Sequence, residues 1–175
     1  MNVELIESPS SHDWISVKER ALVTMGKTKV INAPSLEWKK KILNARHSPI
    51  RYLRYSFFIS DLPYWVSNEL CRHHVGVEKY VKSQRNDRQN EYDRASARQD
   101  APVNVIVDFN AESLMVFCNK RLCNKASKEM RELATKMRDE VYKNNPEMHG
   151  FLVPMCSYLG GKCREMESCR IDNLL

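Results

Sequence analysis

The chain of 175 residues is poor in glycine and proline, with five and seven of them, and it contains no long apolar run. So few glycines and prolines exclude a collagen-like or low-complexity chain, and 42% hydrophobic residues are too many for a disordered one. No stretch approaches the roughly 18–20 apolar residues of a membrane-spanning helix, and Met1-Asn2-Val3-Glu4 is unlike a secretory signal. We expect one soluble, intracellular, cytoplasmic protein with a single domain over residues 1–175.

Standard catalytic and nucleotide-binding motifs are also missing. The sequence has no Walker loop and no G-x-G-x-x-G, no G-x-S-x-G, and no cysteine in a recognisable nucleophile signature. The tail of residues 145–175 carries Cys156, Cys163 and Cys169, which could bind zinc with Cys123, His149 or a residue of another chain as a fourth ligand. Their spacing lacks the short C-x2–4-C element of zinc sites, so we expect reduced thiols and no metal.

Positive charge is in excess, because 28 lysines and arginines face 22 acidic residues, for a net charge of +6. That balance suggests an anionic partner, which could be a phosphorylated small molecule, RNA or DNA. Residues 74–101 are polar and mostly aperiodic, and we expect them to form a long functional loop. Its basic residues are Lys79, Lys82, Arg85, Arg88, Arg94 and Arg98.

Hydrophobic periodicity predicts a mixture of strands and helices. In chain order these are a strand at 3–6, helices after Ser10 and Ser35, a strand at 51–60, a short helix from Pro63 that includes Arg72 and His73, a strand at 103–109, a helix capped by Asn110, and a helix ended by Asn144-Asn145-Pro146. There is no regular βαβ alternation, so the predicted fold class is α+β.

Two groups of charged residues stand out. Arg121 falls on the apolar stripe of the helix after Asn110, where its guanidinium must find an acceptor or ligand, or reach water while its stem packs. Glu69, Arg72 and His73 are spaced to share one helix face, and His74, Ser83 and Arg85 follow them. The second group is suited to holding phosphate and a polar ring; the alternative is a solvated basic face or a surface His–Glu pair.

Two sequence blocks, in the right order, resemble the flavin-dependent thymidylate synthase family. The first runs from His47-Ser48-Pro49 through Phe57-Phe58 and Pro63 to Arg72-His73-His74 and Ser83-x-Arg85, and is similar to that family's Arg-His-Arg and Ser-x-Arg signature. The second, Phe109-Asn110-Ala111-Glu112-Ser113-Leu114-Met115-Val116-Phe117-Cys118-Asn119-Lys120-Arg121 with Ala126 and Glu129-Met130-Arg131 after it, resembles the family's Asn-Ala-Arg-Ser-Leu-x-x-Phe-x-x-x-Arg block. The resemblance covers about residues 36–145.

The resemblance implies an α+β fold with a small antiparallel sheet packed with long helices. It implies a homotetramer whose sites are assembled from several chains. The implied reaction is the reductive methylation of dUMP to dTMP, or a related 5-substitution of a pyrimidine nucleotide, with FAD as cofactor and NADPH and methylenetetrahydrofolate as co-substrates. No enzyme nucleophile is needed, since the cofactor carries the chemistry.

The resemblance also implies roles for individual residues. Arg121 would grip the pyrimidine ring and stabilise its negative charge, and the catalytic residues would be Arg121 and Ser83. The nucleotide would be bound by Glu69, Ser83, Arg85, Arg98 and Arg121, with Arg98 matched by its spacing to Pro102. The flavin would lie along His47, Arg72, His73, His74 and Asn110, and His47 would also lie near the folate.

Four residues depart from the family pattern. His74 replaces the last arginine of Arg-His-Arg, and Glu69 replaces a glutamine near the nucleotide, where a carboxylate would repel phosphate unless it paired with Arg72 or was protonated. Glu112 and Val116 replace an arginine and an asparagine that help to hold flavin. His74, Glu112 and Val116 motivate an alternative function, a nucleotide-binding or nucleic-acid-binding module on the same scaffold that has lost catalysis.

Overall fold

The computed structural model describes residues 1–27, 32–88 and 93–169. Its strands and helices are, in chain order, β1 (Asn2–Glu7), α1 (Ser11–Val23), α2 (Leu36–Asn44), β2 (Arg54–Pro63), α3 (Tyr64–Cys71), β3 (Val77–Val81), β4 (Pro102–Asn110), α4 (Ala111–Arg121), α5 (Lys128–Asn144) and α6 (Met155–Tyr158). Short 3₁₀ turns occupy Ser48–Tyr52, Asn86–Arg88 and Pro146–Met148.

The four strands form one antiparallel sheet in the order β1-β2-β4-β3. β2 and β4 are central, and Phe57 of β2 lies opposite Val107 of β4. Tyr55, Phe57 and Ile59 are fully buried, which confirms the alternation that the sequence shows over 51–60. The predicted α+β class and the small antiparallel sheet packed with helices are therefore confirmed.

Side-chain caps fix the starts of three helices. Ser10 and Asp13 form a capping box at α1, because each side chain accepts the other residue's backbone N–H. Ser35 accepts the N–H of Trp38 at α2. Asn110 Oδ1 accepts the N–H of Ser113 at 2.8 Å, which starts α4 directly at the end of β4.

The loop predicted over 74–101 is wrong in its first part, because residues 77–81 form the edge strand β3, with Val77 opposite Phe109. Only Val77 is buried, while Lys79 and Val81 are half-buried, so the apolar alternation is too weak to read from the sequence. Residues 89–92 of that predicted loop lie outside the described residues.

The first part of the tail of residues 145–175 packs into the core. Met148 and Leu152 are fully buried. Asn119 of α4, also fully buried, donates hydrogen bonds to the carbonyls of Phe151 and Val153. Glu147 accepts a hydrogen bond from the indole of Trp14. The end of that tail, residues 170–175, lies outside the described residues.

Candidate functional site

A cavity of about 560 Å³ lies where the end of α3, the start of β3 and the start of α4 meet. Four of the five residues predicted to hold flavin line it, namely Arg72, His73, His74 and Asn110. The fifth, His47, lines a separate cavity of about 450 Å³ beside α1 and α2, together with Trp38. The structure therefore brings four of these side chains together and does not bring His47 to them.

Gly76 joins the wall of the cavity to α4. Its φ is +69°, a conformation that favours glycine, and its carbonyl accepts hydrogen bonds from the Asn110 N–H and the Ser113 hydroxyl. A Cβ at this position would lie 2.2 Å from Asn110 Nδ2. Gly76 was not predicted as a site residue. An isolated glycine just before a strand can nevertheless indicate that the backbone lies close to another element.

His73 connects the cavity to Arg121. Arg121 Nε donates a hydrogen bond to His73 Nε2 at 2.8 Å. Burial of the ring lowers the pKa of His73 to about 4, and the positive charges of Arg121, Lys120 and Lys79 act in the same direction. Because the imidazole is neutral near pH 7, its unprotonated Nε2 can accept a hydrogen bond from the guanidinium N–H. Of the two expectations for Arg121, the structure shows the first. The guanidinium donates a hydrogen bond to His73, and its side chain is only 21% exposed.

Glu69 lies on the other side of Arg121. Its Oε2 atom is 3.7 Å from Arg121 Nη1 and accepts a hydrogen bond from the Ser127 hydroxyl at 3.1 Å. Among the described residues Glu69 pairs with Arg121 and not with Arg72, because α3 ends at Cys71 and Arg72 is exposed at the cavity. The predicted shared helix face of Glu69, Arg72 and His73 is interrupted by that helix end.

Arg51 is a cavity residue that the sequence analysis missed. It lies in the 3₁₀ turn Ser48–Tyr52, where a strand was expected. Its Nε atom is 2.5 Å from Glu112 Oε2, and both side chains line the 560 Å³ cavity. Glu112 stands where the family pattern has an arginine. Its carboxylate pairs with Arg51, so an arginine from another part of the chain lies at the cavity.

The cavity suits an anionic ligand that also carries an apolar part. Arg72 and Lys120 supply positive charge to its wall, Arg51 is paired there with Glu112, and Val77 and Val116 supply apolar surface. Its volume lies in the range of roughly 300–1,000 Å³ that small-molecule and cofactor sites occupy.

The residues predicted to bind phosphate lie on an exposed part of the chain. Arg85 contacts both carboxylate oxygens of Asp87, at 2.9 and 2.6 Å, and Ser83 Oγ accepts the N–H of Arg85. Arg98 contacts both oxygens of Asp100 at 2.8 Å. None of these residues is among those lining the 560 Å³ cavity in the described part of the chain. Their convergence with Arg121 stays a prediction about the assembled oligomer.

The cysteines and acidic residues form no metal centre that the structure describes. Over residues 1–27, 32–88 and 93–169, no three His, Cys, Asp or Glu side chains are grouped so as to hold a metal ion. All six cysteines are free thiols, and burial raises the pKa of Cys118 to about 12. None of the helices in these ranges has the length and apolar character needed to cross a membrane.

Sequence comparisons identify a family and relatives that match part of the chain. Residues 87–147 match the family model described as thymidylate synthase complementing protein. Flavin-dependent thymidylate synthases of Sulfolobus acidocaldarius and Saccharolobus solfataricus are each 40% identical to this chain over 53 residues. Those residues are 30% of this chain and span only 20% of the length of either relative.

Structural comparisons extend the similarity to most of the chain. The flavin-dependent thymidylate synthase ThyX of Helicobacter pylori, complexed with FAD and dUMP, superposes with a TM-score of 0.67 at 18% identity, over 86% of this chain and 99% of that one. The UMP/dUMP methylase PolB of Streptomyces cacaoi, bound with 5-Br dUMP, gives 0.66 at 16% identity, over 87% and 96%. Residues 87–147 are therefore similar in sequence to the thymidylate synthase complementing protein family, and the chain shares the fold of these flavin-dependent thymidylate synthase structures.

Proposed function

We propose that this protein is a flavin-dependent enzyme that methylates dUMP to dTMP, or makes a related 5-substitution of a pyrimidine nucleotide. The observation that carries the proposal is the hydrogen bond between Arg121 and His73, because it places a permanently charged guanidinium at the border of a basic cavity. The FAD and dUMP complex of the Helicobacter pylori relative supports the choice of ligands.

The 560 Å³ cavity is the proposed flavin site. Arg72, His73, His74 and Asn110 would bind FAD, with Arg51 supplying a positive charge that Glu112 keeps in position. Bound FAD would supply the hydride chemistry of the reaction. NADPH and methylenetetrahydrofolate are the proposed co-substrates, and His47 would contact the folate if a neighbouring subunit brings the second cavity close.

Arg121 is the proposed catalytic group for the pyrimidine. Its Nε atom is hydrogen-bonded to His73, so the Nη groups remain to donate hydrogen bonds to the carbonyl oxygens of the pyrimidine. The side chain is 21% exposed, and a guanidinium that is partly withdrawn from water stabilises negative charge on a ring more strongly than an exposed one. Arg121 would thus orient the ring and lower the cost of activating it.

Ser83, Arg85 and Arg98 are the proposed phosphate-binding residues. The ion pairs of Arg85 with Asp87 and of Arg98 with Asp100 are exposed, and exposed ion pairs contribute little to stability because water and salt screen them. A phosphate dianion can therefore displace both aspartates at little cost and gain charge-assisted hydrogen bonds. Ser83 is proposed to act with them at the nucleotide.

A homotetramer is part of the proposal, because the phosphate-binding residues and Arg121 would then meet between subunits. The alternative of a nucleic-acid-binding module is less well supported. The 560 Å³ cavity favours a small ligand over a nucleic acid, because its volume lies in the range of small-molecule sites.

The proposal is tested by flavin and tritium assays on the wild-type protein and on Arg121→Ala. We expect FAD titration to give the spectrum of bound flavin in both proteins. We expect tritium release from dUMP labelled at ring carbon 5 in the wild type alone, with a loss of at least about 100-fold in Arg121→Ala. A wild-type protein that neither binds FAD nor releases tritium would refute the proposal. Full activity in Arg121→Ala would show that the nucleotide lies elsewhere.

A further inference from the structure

Glu69 is held in place by contacts from two separate elements. Ser127 lies at the N-cap position of α5, yet it makes no side-chain cap bond there, and its hydroxyl is donated to Glu69 Oε2. Arg121 Nη1 lies 3.7 Å from the same oxygen. An N-cap serine usually stabilises its own helix, so a hydroxyl that instead donates its hydrogen bond to Glu69 marks this carboxylate as an oriented group.

Glu69 and Arg121 also remain accessible. Their side chains are 28% and 21% exposed, and within the described residues Glu69 Oε1 accepts no hydrogen bond. The pair thus presents a hydrogen-bond acceptor next to a hydrogen-bond donor. An ionised carboxylate can only accept and a guanidinium can only donate, so the ligand must present a donor beside an acceptor.

Uracil presents that pattern, because its N3–H lies between two carbonyl oxygens. Cytosine has an unprotonated N3 at the same place, and its lone pair would face the carboxylate. A glutamine at position 69 would accept either base, since its amide can rotate to donate or to accept. Resting on the proposed function, we infer that Glu69 selects uracil over cytosine by accepting the N3–H of the ring while Arg121 donates to the neighbouring carbonyl.

The test measures the dissociation constants of dUMP and dCMP for the FAD-loaded protein by titration calorimetry. We expect the wild type to bind dUMP at least about tenfold more tightly, as a mismatched donor and acceptor pair predicts. In Glu69→Gln the preference should shrink at least about fivefold, chiefly through tighter binding of dCMP. Glu4→Gln, at an exposed carboxylate of β1, is the matched control and should keep the wild-type ratio.

A second variant protects the test against a folding defect in Glu69→Gln. Ser127→Ala keeps the carboxylate and removes the hydroxyl that orients it, so the preference for dUMP should shrink by a smaller factor. Binding of dUMP without a preference over dCMP, a preference for dCMP, or an unchanged ratio in both variants would overturn this inference and leave the proposed function standing. If the FAD-loaded protein binds neither nucleotide, the proposed function itself fails.

Discussion

His73 is the residue whose ionisation has the clearest consequence for the folded state. Its pKa is about 4 in the folded protein, against 6.5 ordinarily. Between these values the unfolded chain binds the proton more readily, so the contribution of His73 to stability is complete above pH 6.5 and is lost as the pH falls toward 4. Protonation would also place a second cation beside Arg121.

A His73→Gln variant should therefore be less sensitive to acid. The side-chain carbonyl of glutamine can still accept a hydrogen bond from Arg121 Nε–H, but glutamine is not protonated in this pH range. We expect the drop in the free energy of unfolding between pH 7 and pH 4.5, measured in urea, to be smaller in this variant than in the wild type. His12→Gln, at an exposed position of α1, is the control. Equal drops in His73→Gln and wild type would contradict the prediction.

The sequence predicts the need of Arg121 for a partner but not the partner itself. A guanidinium on an apolar helix stripe must be compensated, and this follows from composition and spacing alone. The choice of His73 and Glu69 depends on where α3 ends and on how α4 and α5 pack, which are contacts between residues 48 to 58 positions apart. No periodicity encodes such contacts.

At the level of elements, Gly76 fixes the approach of the turn before β3 to the start of α4. Alanine there would adopt a positive φ and would also collide with Asn110 Nδ2 at 2.2 Å. Gly26 offers a matched control, because its φ of +72° is similar and a Cβ there would have nothing within 4 Å.

We expect Gly26→Ala to lose about 1 kcal/mol of unfolding free energy from the backbone conformation alone. Gly76→Ala should lose at least about twice that, because the start of α4 must move as well. Chemical denaturation of both variants measures the difference. Similar losses in the two proteins would show that the Asn110 side chain can move away without a loss of unfolding free energy. Gly76 would then not define this wall of the cavity.

Elements with local signals are the ones that the sequence predicts well. Ser10, Ser35 and Asn110 each provide a cap chemistry that is readable within three residues, and β2 is readable from its buried alternation. β3 is not, because an edge strand with one buried residue is defined by its pairing to β4. The same applies to Ser127, whose hydroxyl is used by Glu69 and not by α5.

For the whole molecule, the proposed oligomer would explain why the predicted site residues lie in two separate parts of one chain. The 560 Å³ cavity and Arg121 lie together, whereas Arg85 and Arg98 are exposed and paired with aspartates of their own loop. If Arg85 and Arg98 bind the same nucleotide as Arg121, a second chain could bring the two parts of the site together. The division of the predicted residues is therefore an argument for a shared site.

A site shared between two chains predicts complementation between two inactive subunits. Arg121→Ala and Arg85→Ala homo-oligomers should each lose tritium release from labelled dUMP, because one lacks the ring contact and the other the phosphate contact. In mixed oligomers from equal co-expression, about a quarter of the shared sites would combine an intact Arg121 from one chain with an intact Arg85 from another, if each site joins two chains. Activity near that fraction supports a shared site. Its absence, with mixed oligomers verified by differently tagged subunits, would mean that each chain binds its nucleotide alone.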